Sequence, residues 1–221
     1  MKTIMVANSK GGVGKSVISR AIAVEALRRG IKAAILDIDP QRSTLAWGRR
    51  RGAEMAPTVY GGDDDVRDDL VKILNTEPVD LLVMDLGPGS LSEIADCAAF
   101  ADIAIVPTRP SVDDFEAMSD AVVVLRRAGI PILAVINQAP PRSNLAETIR
   151  AALERAKVPV AKTEFELRAA YPVAAGKGLS AAELKGVAAK AARDEAISLF
   201  DEIAALLEKV KSPRAMGVLN D

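Results

Sequence analysis

The sequence predicts an α/β protein with a doubly wound, mostly parallel sheet and helices on both faces. Three observations predict it. Short β-branched runs alternate with longer segments rich in Ala, Leu and charged residues, the order that repeated strand–helix–strand units produce. The strand-like runs are nearly continuous in apolar residues, as strands covered on both faces must be. Hydrophobic residues make up 49% of the chain but aromatics only 3%, so the core is built from Ala, Val, Ile and Leu.

Taken in order, strand 3–7 leads into a helix over 16–29. Its apolar positions Val17, Ala21, Val24 and Leu27 recur at helical spacing before Gly30 stops it. Strand 33–37 and helix 44–51 come next, followed by helix 66–75, strand 81–85 and helix 91–100. Strand 103–107, helix 113–128, strand 132–137 and helix 144–157 repeat the unit. A last helix runs from about 180 to 209, broken near Gly186. Crossovers of this kind are right-handed and give parallel strands. No low-complexity linker, internal repeat or shift in composition divides residues 1–221, which read as one domain.

Composition narrows the chemistry. The 221 residues contain no His, which excludes a Ser-His-Asp triad, an imidazole general base and an ordinary catalytic zinc site. The single Cys97 excludes an internal disulfide framework and a CxxC motif, and reads as a small buried hydrophobe. The N-terminal apolar run is too short for a signal peptide, and no stretch of about 18 apolar residues exists. The expectation is a cytoplasmic protein without a membrane partner. Net charge is −1 at pH 7, but it is unevenly spread. From Arg142 to Arg193 ten basic residues face five Glu, whereas Asp63, Asp64, Asp65, Asp68 and Asp69 crowd the middle. The basic excess reads either as solvated helix faces or as a polyanion-binding surface.

The most informative segment follows the first strand directly: Ser9-Lys10-Gly11-Gly12-Val13-Gly14-Lys15-Ser16, with Val17 continuing into the helix. A strand, a Gly-rich turn and a helix N-terminus gather backbone N–H groups around one point, where the helix dipole favours an anion. Glycines let the backbone wrap closely there. Lys15 is placed to reach the β- and γ-phosphates, and the Ser16 hydroxyl to ligate Mg²⁺. Two further strands end in carboxylates. Asp37 and Asp39, in Asp37-Ile38-Asp39-Pro40-Gln41, either cap the following turn or face the ligand crevice at the strand's carboxyl end. Asp85 closes the apolar run 81–85, a Walker B pattern in which Mg²⁺ is the natural partner of a buried carboxylate. Leu86-Gly87-Pro88-Gly89 follows, a loop able to sense a γ-phosphate. Asn137 ends the last clear strand, either as a turn residue or as a group that hydrogen-bonds an adenine edge.

With Lys10 ahead of the glycines, the loop resembles the deviant Walker A motif KGGxGK[ST] of the ParA/MinD family of P-loop NTPases. The resemblance runs in order from Lys2 to about Glu183. It implies that Lys10 reaches across an ATP-dependent nucleotide-sandwich homodimer to the partner's phosphates. It implies too that Asp39, in a DxDPQ switch, positions or activates the attacking water while Asp37 supports loop and metal. Residues 106–113 resemble the family segment after the next strand, with Pro107 a nucleotide-binding candidate, and Asn137 becomes a base-recognition candidate. Arg168-Ala169-Ala170-Tyr171-Pro172-Val173-Ala174-Ala175-Gly176 resembles a segment whose arginine binds non-specific DNA in the family. Arg168 is therefore the first DNA-contact candidate, with Lys177, Lys185, Lys190 and Arg193 added from the basic excess. Arg49, Arg50 and Arg51 read instead as cations favoured by a helix C-terminus.

Among family branches, a small ParA-type partition ATPase without an N-terminal helix-turn-helix domain fits best, since the first strand starts at residue 3. A MinD-like membrane anchor is disfavoured by Pro213 and Gly217, an iron–sulfur relative by the lone cysteine, and a tyrosine-kinase relative by having only Tyr60 and Tyr171. The implied activity is Mg²⁺-dependent hydrolysis of ATP to ADP, on a dimer bound to the nucleoid, stimulated by a ParB-like centromere-binding adaptor carrying plasmid or other cargo. Two other readings stand beside it: a nucleotide switch positioning a protein complex without DNA, and an ATP-dependent ligase or synthase. The latter needs a small-molecule pocket, for which the sequence offers no second polar cluster.

Overall fold

A computed structural model describes residues 1–52, 54–62 and 65–210. Strand-forming runs appear where apolar residues are densest: β1 (Lys2–Val6), β2 (Ala33–Asp37), β3 (Thr58–Gly61), β4 (Leu81–Asp85), β5 (Ile103–Thr108), β6 (Ile132–Ala139) and β7 (Phe165–Glu166). They pair in parallel as one seven-stranded sheet in the order β3-β2-β4-β1-β5-β6-β7. The helices are α1 (Lys15–Arg28), α2 (Ser43–Arg51), α3 (Val66–Thr76), α4 (Leu91–Ala98), α5 (Val112–Arg127), α6 (Leu145–Arg155), α7 (Ala170–Gly176) and α8 (Lys190–Leu207).

Side chains along a strand alternate in direction, so continuous apolar runs feed two cores at once. Met5, Leu36, Met84, Val106 and Ile136 face one core with α3, α4, α5 and α6. Ile4, Val6, Ile35, Val83, Ile105 and Val135 face the other, with α1, Trp47 of α2 and the Leu199, Phe200 and Ile203 face of α8. The helices after β1 and β2 thus lie on one face, and those after β4 and β5 on the other. Central β1, flanked by β4 and β5, sits at the switch point where such sheets open a crevice beyond their carboxyl ends.

Three elements escape the sequence reading: β3, β7 and α7. Strands β3 and β7 are edge strands of four and two residues, too short for a periodic signal. The helix expected over 180–209 begins only at Lys190. Ser180 instead caps a 3-10 turn over Ala181–Glu183, and Gly186, at φ +96°, breaks the chain before a second turn over Val187–Ala189. The break near Gly186 is where it was expected. Of the acidic run, Asp63 and Asp64 lie outside the described residues, as does the tail 211–221 with Pro213 and Gly217. No helix among the described residues is long and apolar enough to cross a membrane.

Candidate functional site

The turn after β1 is organised by Asn8, which is fully buried. Its Nδ2 donates to Pro107 O (2.8 Å), its Oδ1 accepts from Lys10 N (3.0 Å), and its carbonyl accepts from Lys15 Nζ (3.0 Å). Lys15 Nζ also donates to Lys10 O at 2.8 Å, so the turn closes around its own ammonium group. Burial lowers the Lys15 pKa, opposed by the charges of Asp85 and Asp39. Gly14 caps α1 at φ +92°, and a Cβ there would collide with the Asn137 amide. Neither a side-chain cap nor an acidic residue occupies the first turn of α1, which leaves its N–H groups for an anion. From the β6 end, Asn137 Nδ2 donates to Val13 O (2.7 Å) and Gln138 Nε2 to Gly12 O (2.9 Å), bracing the turn.

Register places the carboxylates. Asp37 and Asp85 are directly paired positions on β2 and β4, and Asp85 is also opposite Val6 at the end of β1. Asp85 is fully buried, with Oδ1 accepting from Ser19 Oγ (3.0 Å) and Oδ2 from Thr44 Oγ1 (2.6 Å). Burial raises its pKa to about 6 against the hydroxyls of Thr44, Ser16 and Ser19, with the Asp37 charge adding to the rise. Asp37 acts on α2: Oδ2 accepts from Leu45 N (2.7 Å) and Oδ1 from Asp39 N (3.1 Å). Burial raises its pKa as well, against backbone N–H groups from Leu45, Asp39 and Thr44. Asp39 is 8% exposed and accepts from Gln41 N at 2.8 Å. Gly87 packs on it so closely that a Cβ would lie 3.1 Å from Asp39 Oδ1, so the loops after β2 and β4 touch.

Among the described residues no three His, Cys, Asp or Glu side chains converge as a protein-only metal cage. Mg²⁺ takes one or two protein ligands and completes its shell with water and phosphate. The half-buried Ser16 hydroxyl and the buried Asp85 carboxylate, beside the Gly-rich turn, match that donor set.

The Lys10 side chain leaves the turn toward α5. Its Nζ is 2.6 Å from Asp114 Oδ1 on α5, and Asp114 is also gripped by Arg109 through Nε (2.6 Å) and Nη2 (3.1 Å). Burial would raise the Asp114 carboxyl, but hydrogen bonds from Arg109, Lys10 and Ser111 outweigh it and hold it at about 2.

The basic residues are distributed differently. Arg168 is held by Glu195 Oε1 (2.7 Å) and Glu166 Oε2 (2.9 Å), and Glu195 also takes the Tyr171 hydroxyl. Lys190 pairs with Asp194 (2.6 Å), and Arg193 Nη1 donates to the carbonyls of Leu184 (2.6 Å) and Gly186 (3.1 Å). Lys177 and Lys185 are exposed and, among the described residues, have no ion-pair partner. Arg51 is buried, chelated by Glu183 and bonded to Gly178 O and Ala56 O, while Arg50 donates to Ala175 O. These two arginines lock α2 to the 175–183 segment in addition to ending a helix.

Sequence reasoning missed Asn8, Ser19, Arg20, Thr44, Arg109 and Asp114. Ser19 carried a faint signal, one turn after Ser16 on the same helix face. Cys97 is buried as expected, its thiol pushed up to about 12 by burial and the charges of Asp96 and Glu93.

Residues 4–216 match the family model described as the CobQ/CobB/MinD/ParA nucleotide binding domain. The chain is 30% identical over 212 residues to the maintenance of carboxysome distribution protein A of Halothiobacillus neapolitanus, covering 91% of this chain and 95% of that protein. Its fold is similar to MinD in the MinC:MinD cell division complex of Aquifex aeolicus, at a TM-score of 0.71 and 15% identity over 91% of this chain and 96% of that one. A similar fold is seen in the ATP complex of a Cyanothece McdA variant, at a TM-score of 0.70 and 15% identity over 96% and 98% of the two chains. With the Gly-rich turn, the paired strand-end carboxylates and this family match in hand, the chain belongs to the CobQ/CobB/MinD/ParA nucleotide-binding family, among its ParA/MinD-type members.

Proposed function

We propose that this protein is an ATP-dependent dimerising ATPase that uses non-specific DNA as a matrix to segregate or position cargo. The observation that carries the reading is the gathering of Lys15, Ser16, Asp39 and Asp85 around one Gly-rich turn at the carboxyl end of the sheet. Backbone N–H groups of residues 11–17 and Lys15 would cradle the phosphates, exchanging the two carbonyls that Lys15 now holds for phosphate oxygens. Ser16 and Asp85 would hold Mg²⁺, with Asp37 supporting the loop from behind. The metal would screen the phosphate charge; the rest is positioning by the chain. Asp39, against Gly87, orients the attacking water. Asn137, its amide nitrogen engaged by Val13, offers its oxygen to a base, and Pro107 anchors Asn8 beneath it. Lys10 leaves Asp114 to reach the phosphates of a second subunit.

Two subunits joined this way bring two basic surfaces together, so phosphate contacts add and DNA affinity rises by avidity. Lys177 and Lys185 are the contacts best placed to neutralise phosphates, with Lys190, Arg193 and Arg168 behind them. A ParB-like adaptor bound to the cargo triggers hydrolysis and release. The relative that maintains carboxysome distribution supports cargo positioning as the role, and widens the cargo to include a protein assembly. On this reading the protein is cytoplasmic, on the nucleoid while ATP is bound.

Retention on non-specific duplex DNA tests this, at low and moderate salt with no nucleotide, ADP or ATP, for wild type and Asp39→Ala. Retention only with ATP, lost with salt and persisting in Asp39→Ala, supports the reading. Equal or absent retention in all three nucleotide states removes DNA as the matrix and leaves a switch that positions a protein complex. One observation favours a ligase or synthase instead. A groove of 1130 Å³ adjoins the loops at Pro40 and Gly87 and is lined by Arg42, Asp65, Arg67 and Glu93. Turnover that required a small acceptor and ignored DNA would favour it.

A further inference from the structure

We propose that Thr44 is a positioning residue that couples the phosphate-site carboxylate Asp85 to helix α2, and that Trp47 transmits movement of α2 to the 178–183 segment. Thr44 is fully buried in the first turn of α2, five residues after Asp39. Its single hydroxyl donates to Asp85 Oδ2 at 2.6 Å and accepts from Arg20 Nε at 3.0 Å. Since Asp37 accepts from Leu45 N, the start of α2 hangs from the ends of both β2 and β4. A carboxylate that turns toward a metal beside Ser16 must either lengthen its bond to Thr44 or take α2 with it.

The far end of α2 has little slack. The guanidinium groups of Arg20 and Arg51 stack on the Trp47 ring, at 5.5 and 5.2 Å from its centroid. Trp47 Nε1 donates to Leu179 O (3.1 Å), and Arg51 bonds Gly178 O (3.0 Å) and chelates Glu183 (2.6 and 2.7 Å). Gly178, at φ +69°, lies against the α2 backbone so tightly that a Cβ would collide with Arg50 and Arg51. A chain of hydrogen bonds and guanidinium–indole contacts therefore connects Asp85 to a segment flanked by the exposed Lys177 and Lys185. Packed contacts of this kind shift between discrete arrangements more readily than they stretch. The inference rests on the nucleotide-site reading above but not on DNA binding.

Trp47 is the only tryptophan of the chain, so its emission reports on this junction. The test titrates the full chain with a non-hydrolysable ATP analogue, with and without Mg²⁺, and follows analogue binding separately by equilibrium dialysis. Wild type and Thr44→Ser should show an emission change that needs Mg²⁺ and saturates with binding. Thr44→Val, which keeps the shape but not the hydroxyl, should still bind the analogue but lose most of the change. In wild type, amide hydrogen exchange at 178–186 should change on adding Mg²⁺ and analogue, and Gly178→Ala should abolish that change while keeping the Trp47 response. A full emission change in Thr44→Val overturns the proposal. So does a wild type that binds the analogue with neither emission nor exchange altered, a result that needs no variant to fold. A wild type that does not bind the analogue at all overturns the nucleotide-site reading, and this inference with it.

Discussion

The Gly-rich end of β1 and the basic stretch from Arg168 to Arg193 make opposite use of charge. At the first, three buried groups with costly charges, Lys15, Asp37 and Asp85, face one crevice. They are satisfied by backbone and hydroxyl groups instead of by one another's ion pairs. Such groups keep their charge available, and two of them have raised pKa values as the cost of burial. In the second, three of the five cations are already engaged by the chain itself. Arg168 sits between two glutamates, Lys190 beside Asp194, and Arg193 on two carbonyls. A net excess of positive charge along a sequence is therefore a poor measure of the charge offered to a partner, whereas a spaced motif at a strand end is a good one.

Substitutions sharpen the contrast, starting with the largest effect. Asp39→Ala should bind ATP within about threefold of wild type yet hydrolyse it on the order of a hundredfold or more slowly, as phosphate-release assays would read. Normal turnover in that variant would remove Asp39 from the switch. Lys15→Ala should weaken ATP binding up to about 100-fold, because a charge-assisted contact with phosphate is worth roughly 1.5–3 kcal/mol; calorimetric titration measures it.

Asp114 gives an acid-side prediction. Its folded pKa, about 2, lies below the ordinary 3.8, so its stabilisation is fully present above pH 4 and disappears as pH falls toward 2. Asp114→Asn should cost about 2 kcal/mol at neutral pH and flatten the loss of stability between pH 4 and 2 in denaturant melts. The smallest expected effect decides the comparison itself. Lys177→Ala with Lys185→Ala should reduce the salt dependence of DNA retention by about two phosphate equivalents. Arg168→Ala should instead lower thermal stability by about 1 kcal/mol, by leaving Glu195 with one fewer donor, and move the salt slope less. If Arg168→Ala moves it more, the ion pairs around Arg168 open on DNA.

Much of the fold was legible because its signals are local. Five of the strands are apolar runs that a two-faced sheet makes continuous, and the turn over 9–16 announces itself by glycines, a lysine and a serine in fixed order. The edge strands β3 and β7 were not legible, since four or two residues carry no period and their pairing depends on neighbours far along the chain. Asn8 and Thr44 escaped for another reason. Each is an ordinary strand-end or helix residue whose importance comes from a partner at a separation of 99 or 41 residues.

By itself the sequence determined the sheet's two-sided burial, the anion-holding turn and the carboxylates at strand ends, because all three follow from residue type and short spacing. Only the tertiary structure decided which charges remain free. It gave Lys10 to Asp114, Arg168 to Glu166 and Glu195, and the hydroxyl of Thr44 to Asp85. Pairing at a few ångströms depends on where distant segments meet, and a linear pattern of charges carries no record of that meeting.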